Sequence, residues 1–149
     1  MRTLVMLILM IFLLAPRTSH AEEPGFGVEF RFQPPIESST SAIPPVMLDI
    51  CGDQSCMGAA NSLQLTCTAS NVPGRPDIQV HECGLQARLG RRGPDEAMAY
   101  LSRPVSLRLR VNNMVSLPFY FGGGQPSEPH TLYRFRVSPG PNGFAVTPG

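Results

Sequence analysis

The sequence contains no lysine: all twelve of its basic residues are arginine. Such usage is typical of a GC-rich coding genome, which hints at a bacterial source and so at the periplasm or the medium for an exported product. An excess of one charge is missing as well. Arg2 and Arg17 fall in a leader-like segment, and the remaining ten arginines face eleven aspartates and glutamates, a balance of about −1. A field of that size attracts neither nucleic acid nor an anionic membrane, so no nucleic-acid partner is expected.

Catalytic signatures are also missing. There is no G-x-S-x-G elbow, and only two histidines, His81 and His130, lie outside the leader-like segment. His81 is followed by Glu82 on an expected strand, where consecutive side chains point to opposite faces and cannot act as a base and its orienting acid. The run Gly122-Gly123-Gly124-Gln125-Pro126-Ser127-Glu128-Pro129 lacks the glycine spacing, the lysine and the following helix of a phosphate loop, and reads as a flexible connection. Met47, Met57, Met98 and Met114 show no tight ligand spacing with each other or with the histidines, which suits core filling better than soft-metal handling. No cofactor and no metal site are expected.

Long apolar runs are confined to one place. Met1-Arg2-Thr3 is followed by an unbroken apolar stretch from Leu4 to Ala15 and then by Pro16 to Ala21, with small residues at Ser19 and Ala21. That layout predicts a cleavable secretory signal peptide over residues 1–21, since about 20 apolar residues are needed to span a bilayer. Residues 22–149 then form one secreted β domain, with no membrane span after cleavage, in the periplasm or outside the cell. A membrane-spanning barrel is disfavoured by short strands with proline at their boundaries and by the ending Thr147-Pro148-Gly149.

What is present begins with four cysteines, Cys51, Cys56, Cys67 and Cys83. In an exported chain an even count reads first as disulfides. Of three possible pairings, Cys51 with Cys56 around Gly52-Asp53-Gln54-Ser55, and Cys67 with Cys83 across two strands, is expected; the larger loop would contribute about 3 kcal/mol in the chain-entropy model. A thiolate metal site using His81 fits the spacing poorly.

Phe26 to Phe32 alternates apolar and other residues with the period of a half-buried strand. Residues 33–45 carry four prolines and a Ser/Thr cluster, which makes them a loop inside the domain. Val46 to Ile50 and Leu63 to Thr68 read as strands, Asn71 to Asp77 as a turn, and Ile78 to Glu82 with Leu85 to Leu89 as two short strands or one broken near Gly84. Residues 94–102, with Pro94 at the first helical position and Arg103-Pro104 after the end, predict a short helix that buries Met98 and Leu101. Val105 to Val111 alternates strictly, Asn112-Asn113 suits a two-residue turn with positive φ at both positions, and Met114 to Phe121 returns as the second arm of a hairpin. Tyr133 to Val137 and Phe144 to Thr147 complete the strands. The fold class expected is mainly β, a small disulfide-stapled sandwich or partly open barrel with one short helix.

Two arginine pairs stand out. Arg108 with Arg110, and Arg134 with Arg136, each occupy one face of a strand; were the strands neighbours, four guanidinium groups would share a surface, with Arg31 and Glu29 nearby. A regular hairpin about Asn112-Asn113 sets Arg110 opposite Val115 and Arg108 opposite Leu117, so that face would also carry Leu117, Phe119 and Phe121. A mixed arginine and aromatic face is usual at a partner surface, and a solvated outer sheet face is the plain alternative. The function expected is a non-enzymatic binding or envelope-assembly module for an envelope or extracellular protein. The rival is a small exported metal-binding or redox protein, or a hydrolase, using His81, His130 or the cysteines.

Overall fold

In a computed structural model the chain is described over residues 23–141 and 143–149. The leader expected at 1–21 lies outside the described residues. The described residues form ten strands and one helix in the order β1 (Gly25–Phe32), β2 (Val46–Cys51), β3 (Ala59–Val72), β4 (Arg75–Gly90), β5 (Gly93–Pro94), α1 (Glu96–Leu101), β6 (Val105–Val111), β7 (Met114–Val115), β8 (Phe119–Phe121), β9 (Thr131–Gly140) and β10 (Gly143–Pro148). The sheet runs β10-β9-β1-β4-β3-β2-β6-β7, with β8 also on β6 and β5 on β4. Its two ends meet at a parallel bridge between Ser116 and Phe144, so the sheet nearly closes into a barrel. The mainly β class with one short helix is the architecture expected from the sequence.

Alternation decides which face is the inside. Phe26, Val28, Phe30 and Phe32 of β1, Val46, Leu48 and Ile50 of β2, and Leu107, Leu109 and Val111 of β6 are buried, while the intervening Glu29, Arg31, Met47, Arg108 and Arg110 keep some exposure. Burying each large apolar side chain contributes about 1.5–3 kcal/mol. Apolar inside and charged outside is the reverse of the pattern on a lipid-facing barrel.

Several local expectations are refined. β3 and β4 form one long hairpin about Pro73-Gly74, with φ +77° at Gly74, so the turn is tighter than 71–77. β4 is not broken at Gly84: a Cβ there would stand 2.8 Å from the Val28 carbonyl oxygen, so glycine lets β1 approach instead of ending the strand. The helix starts later than Pro94, which pairs with Leu89 in β5. Asp95 is its N-cap, Oδ1 accepting the Met98 N–H at 2.8 Å and Oδ2 the Arg88 N–H at 3.1 Å. Met98 and Leu101 are buried as the periodicity required.

Both disulfides form as paired in the sequence reading, Cys51 with Cys56 and Cys67 with Cys83, and no cysteine is free. Cys67 and Cys83 lie directly opposite in the β3–β4 ladder. Every thiol is thereby committed, and a thiolate metal site is not formed.

The glycine-rich segment after β8 is fastened, contrary to its reading as a flexible connection. The Gly124 N–H donates to the Leu101 carbonyl at 2.8 Å, the Gln125 N–H to the Tyr133 hydroxyl at 3.2 Å, and Ser127 bridges Gly25. Gly124 is buried against the ring of Phe26, near one end of β1. At the other end Phe32, Pro34, Pro35, Ile36, Met114 and Phe144 border an apolar cavity of about 230 Å³.

Candidate functional site: the outer face of β6 and its neighbours

The hairpin that carries Arg108 and Arg110 does not keep the register expected of it. Its turn has positive φ at Asn112 alone, and Val111 pairs with Met114 and Arg110 with Val115 as in a regular ladder. Beyond that the pairing slips by one residue, to Leu107 with Phe119 and Val105 with Phe121. Ser116-Leu117-Pro118 forms the irregularity. The Ser116 N–H donates to the Leu109 carbonyl, and its hydroxyl accepts the Leu109 N–H while donating to the Leu117 carbonyl. Pro118 has no N–H to offer the ladder.

A one-residue slip turns every later side chain to the opposite face. Phe119 and Phe121 therefore leave the arginine face and point inward, where Phe119 lies 5.8 Å from Phe30 and Phe121 5.4 Å from Tyr133, centroid to centroid. The placement of Phe119 on a partner surface is corrected accordingly. Leu117 and Tyr120 take the outside instead, 74% and 70% exposed.

The two arginine pairs do not share a surface either. Arg108 and Arg110 on β6 and Arg134 and Arg136 on β9 belong to strands that are not neighbours in the sheet. The first pair converges on Asp49, which is fully buried on the outer face of β2. Arg108 donates to Asp49 Oδ2 through Nη2 at 2.9 Å and Nε at 3.1 Å, Arg110 to Oδ1 through Nη2 at 3.1 Å, and the Ser62 hydroxyl to Oδ1 at 2.7 Å. Burial pushes the Asp49 carboxyl up, but the hydrogen bonds from Arg110, Ser62 and Arg108 outweigh it and hold the group below the ordinary carboxylate value. Arg108 Nη1 also donates to the Cys56 carbonyl at 3.2 Å, which fixes the small disulfide loop beside it. The next residue, Met57, projects into solvent at 88% exposure.

This cluster was only half legible from the sequence. Arg108 and Arg110 stood out by alternation, whereas Asp49 gave no signal beyond being a charge inside an apolar strand. Arg134 and Arg136 lie beside Glu29 and Arg31 on β1, without the β6 pair: Arg134 pairs with Glu29 in register and Arg136 with Arg31.

The histidines are far apart in role. His81 pairs with Phe32 in register, while Glu82 turns outward to Arg31 at 3.0 Å, so the two side chains do occupy opposite faces. His81 Nδ1 accepts the Ile36 N–H at 3.0 Å, and burial lowers the pKa of the ring. His130 Nε2 lies 2.7 Å from the Glu23 carbonyl. No group of three or more His, Cys, Asp or Glu side chains suited to a metal ion occurs among the described residues. No helix among them is long and apolar enough to cross a membrane.

The titration of His81 has a definite consequence. Between its lowered native pKa and the ordinary value of 6.5 the unfolded ring binds a proton that the native ring refuses, so stability falls as the pH drops through that window. Protonation also removes the acceptor that holds Ile36. Urea unfolding at pH 7.5 and at about pH 5 should show the loss in the wild type and a smaller loss in His81→Gln; equal losses would exonerate this residue.

No family profile matches the chain, and no curated protein does. Among solved structures, one of a candidate cell adhesion protein from Bacteroides fragilis aligns at a TM-score of 0.35 and 13% identity, over 83% of this chain and 44% of the other. The chain thus spans less than half of that protein, and the likeness is too low to carry an argument about fold or function.

Proposed function

We propose that this chain is an exported, non-enzymatic binding module that recognises an extracellular or envelope protein through the outer face of β6 and the bulge beside it. The observation that carries the reading is the exposure of Leu117 and Tyr120 next to arginines already locked in place. Tyr120 is in register with Ser106 on the outer face, two residues from Arg108, and Leu117 occupies the irregularity across from Arg108. Tyrosine, arginine and methionine are the types enriched at interface centres. Arg108 and Arg110 lose little freedom on binding because Asp49 and the Cys56 carbonyl hold them beforehand. Two arginines against one aspartate leave the patch positive, so the partner offers a carboxylate beside an apolar contact. The two disulfides support an oxidising destination, in the envelope or outside the cell.

Photo-crosslinking in the producing cells tests this. A benzophenone amino acid at position 117 or 120 should give one adduct of defined mass, and the same probe at Leu89 or Leu132, exposed apolar positions elsewhere, should not. Adducts from all four positions would mean non-specific contact, and none at 117 and 120 would remove the proposal.

A further inference from the structure

The second arginine group lies on the outer face of β1 and β9 and is not neutralised in the way the first is. One row across four strands reads Glu82, Arg31, Arg136 and Thr147; the row beside it holds Glu29 and Arg134. Arg31 Nη2 meets Glu82 Oε1 at 3.0 Å and Arg134 Nε lies 3.8 Å from Glu29 Oε1. Arg136, directly opposite Arg31, has no ion pair and no side-chain hydrogen bond among the described residues. Like charges facing each other across a ladder are destabilising, so a bare Arg136 beside Arg31 calls for a counter-charge.

The cleft above this row supplies the rest. It is bordered by Arg31, Gln33, Val72, Arg136, Ser138 and Thr147, between the outer part of the β3–β4 hairpin and the β9–β10 edge, with a volume of about 530 Å³. No carboxylate borders it. Its polar side chains all donate, and those of Gln33, Ser138 and Thr147 make no hydrogen bond among the described residues. Arg31 Nε is buried and lacks a partner, although the same guanidinium is anchored to Glu82. A buried donor left unmade costs about 1–3 kcal/mol, so the Arg31 guanidinium is only partly satisfied by Glu82.

We propose that this cleft binds a tetrahedral oxyanion, the sulfate or phosphate group of an extracellular ester, with the Arg136 fork as its charge partner and Arg31, Gln33, Ser138 and Thr147 as further donors. The number of donors favours a tetrahedral group over a carboxylate, which offers about four lone-pair sites. Arginine forks suit the spacing of such oxygens. The cleft is larger than the anion and leaves room for the body of the ester. This site is separate from the β6 face, so either can fail without the other.

The experiment is an NMR titration of the protein with inorganic sulfate, phosphate, acetate and chloride at about 0.15 M total ionic strength. Sulfate and phosphate should move the Arg31 and Arg136 Nε–Hε signals and the Ser138 and Thr147 amides saturably. Arg136→Gln should weaken binding at least tenfold and Thr147→Val less, neither with a lowered unfolding midpoint; relief of the repulsion with Arg31 should, if anything, raise that of Arg136→Gln. Arg103→Gln, which removes an exposed charge elsewhere, should bind as the wild type does. Shifts that rise linearly, that chloride reproduces, or that survive in Arg136→Gln would overturn the site; acetate binding as tightly as sulfate would overturn its tetrahedral character.

Discussion

Asp49→Ala should lower the unfolding free energy by about 2–3 kcal/mol, toward the low end for breaking a buried ion pair because Arg108 and Arg110 can still reach water. The substitution strips both arginines and Ser62 of their common acceptor and leaves two like charges side by side on one strand face. A melting temperature lower by roughly 10 °C is the expected reading. Asp49→Asn should lose less, since it keeps an acceptor oxygen but not the charge. The pH profile carries the same signature. The native carboxyl titrates below its ordinary 3.8, so its contribution is complete above that value and disappears as the pH falls through the lower native pKa. The acid limb of the stability curve should therefore flatten in Asp49→Ala. Stability unchanged by the substitution would mean that the arginines, and not the carboxylate between them, hold this face together.

Gly124→Leu should be at least as damaging, at about 3 kcal/mol or more. A Cβ at this position would lie 2.4 Å from the Phe26 ring, which is fully buried and meets Tyr133 edge-on at 5.7 Å between centroids. The ring has nowhere to move. Relief must come from the segment itself, which would lift away from β1 and surrender the bond from Gly124 to the Leu101 carbonyl and the Ser127–Gly25 bridge. Chemical denaturation and limited proteolysis near residues 122–130 together check this: lost stability should come with new cleavage there. Gly122→Leu is the control, because a Cβ at Gly122 has only the Tyr120 ring near, at 3.9 Å.

These effects mark where sequence reasoning reached and where it stopped. Period-two alternation placed β1, β6 and β9 because each buries one face and wets the other. The cysteine spacing gave both disulfides because one pair could close a small loop and the other could tie two neighbouring strands. The one helix among the described residues was legible through its opening proline and its stop signals, although Pro94 went to a strand and Asp95 became the cap. The slip at Ser116-Leu117-Pro118 was not legible, since a hairpin's register follows its turn only until a bulge intervenes. That slip alone exchanged Phe119 and Phe121 for Tyr120 on the outer face. Gly124 was invisible for a different reason: glycine for looseness and glycine for close packing are written with the same letter. The separation of the two arginine pairs depended on strand order, which alternation within a strand does not encode.

The position of β1 bears on when the molecule can be finished. It lies between β4 and β9, and its parallel partners, Phe26 with Thr131 through Phe32 with Val137, are about a hundred residues apart along the chain. β1 therefore waits for β9, and the aromatic centre that joins Phe30 to Phe119 and Phe135 cannot assemble before both β8 and β9 exist. The β3–β4 hairpin with its Cys67–Cys83 link is local and can form early, as a template on which β1 and β9 later meet. Closure must wait until β9 has been made, and the long separation of the two strands makes it a non-local step of the kind that slows folding.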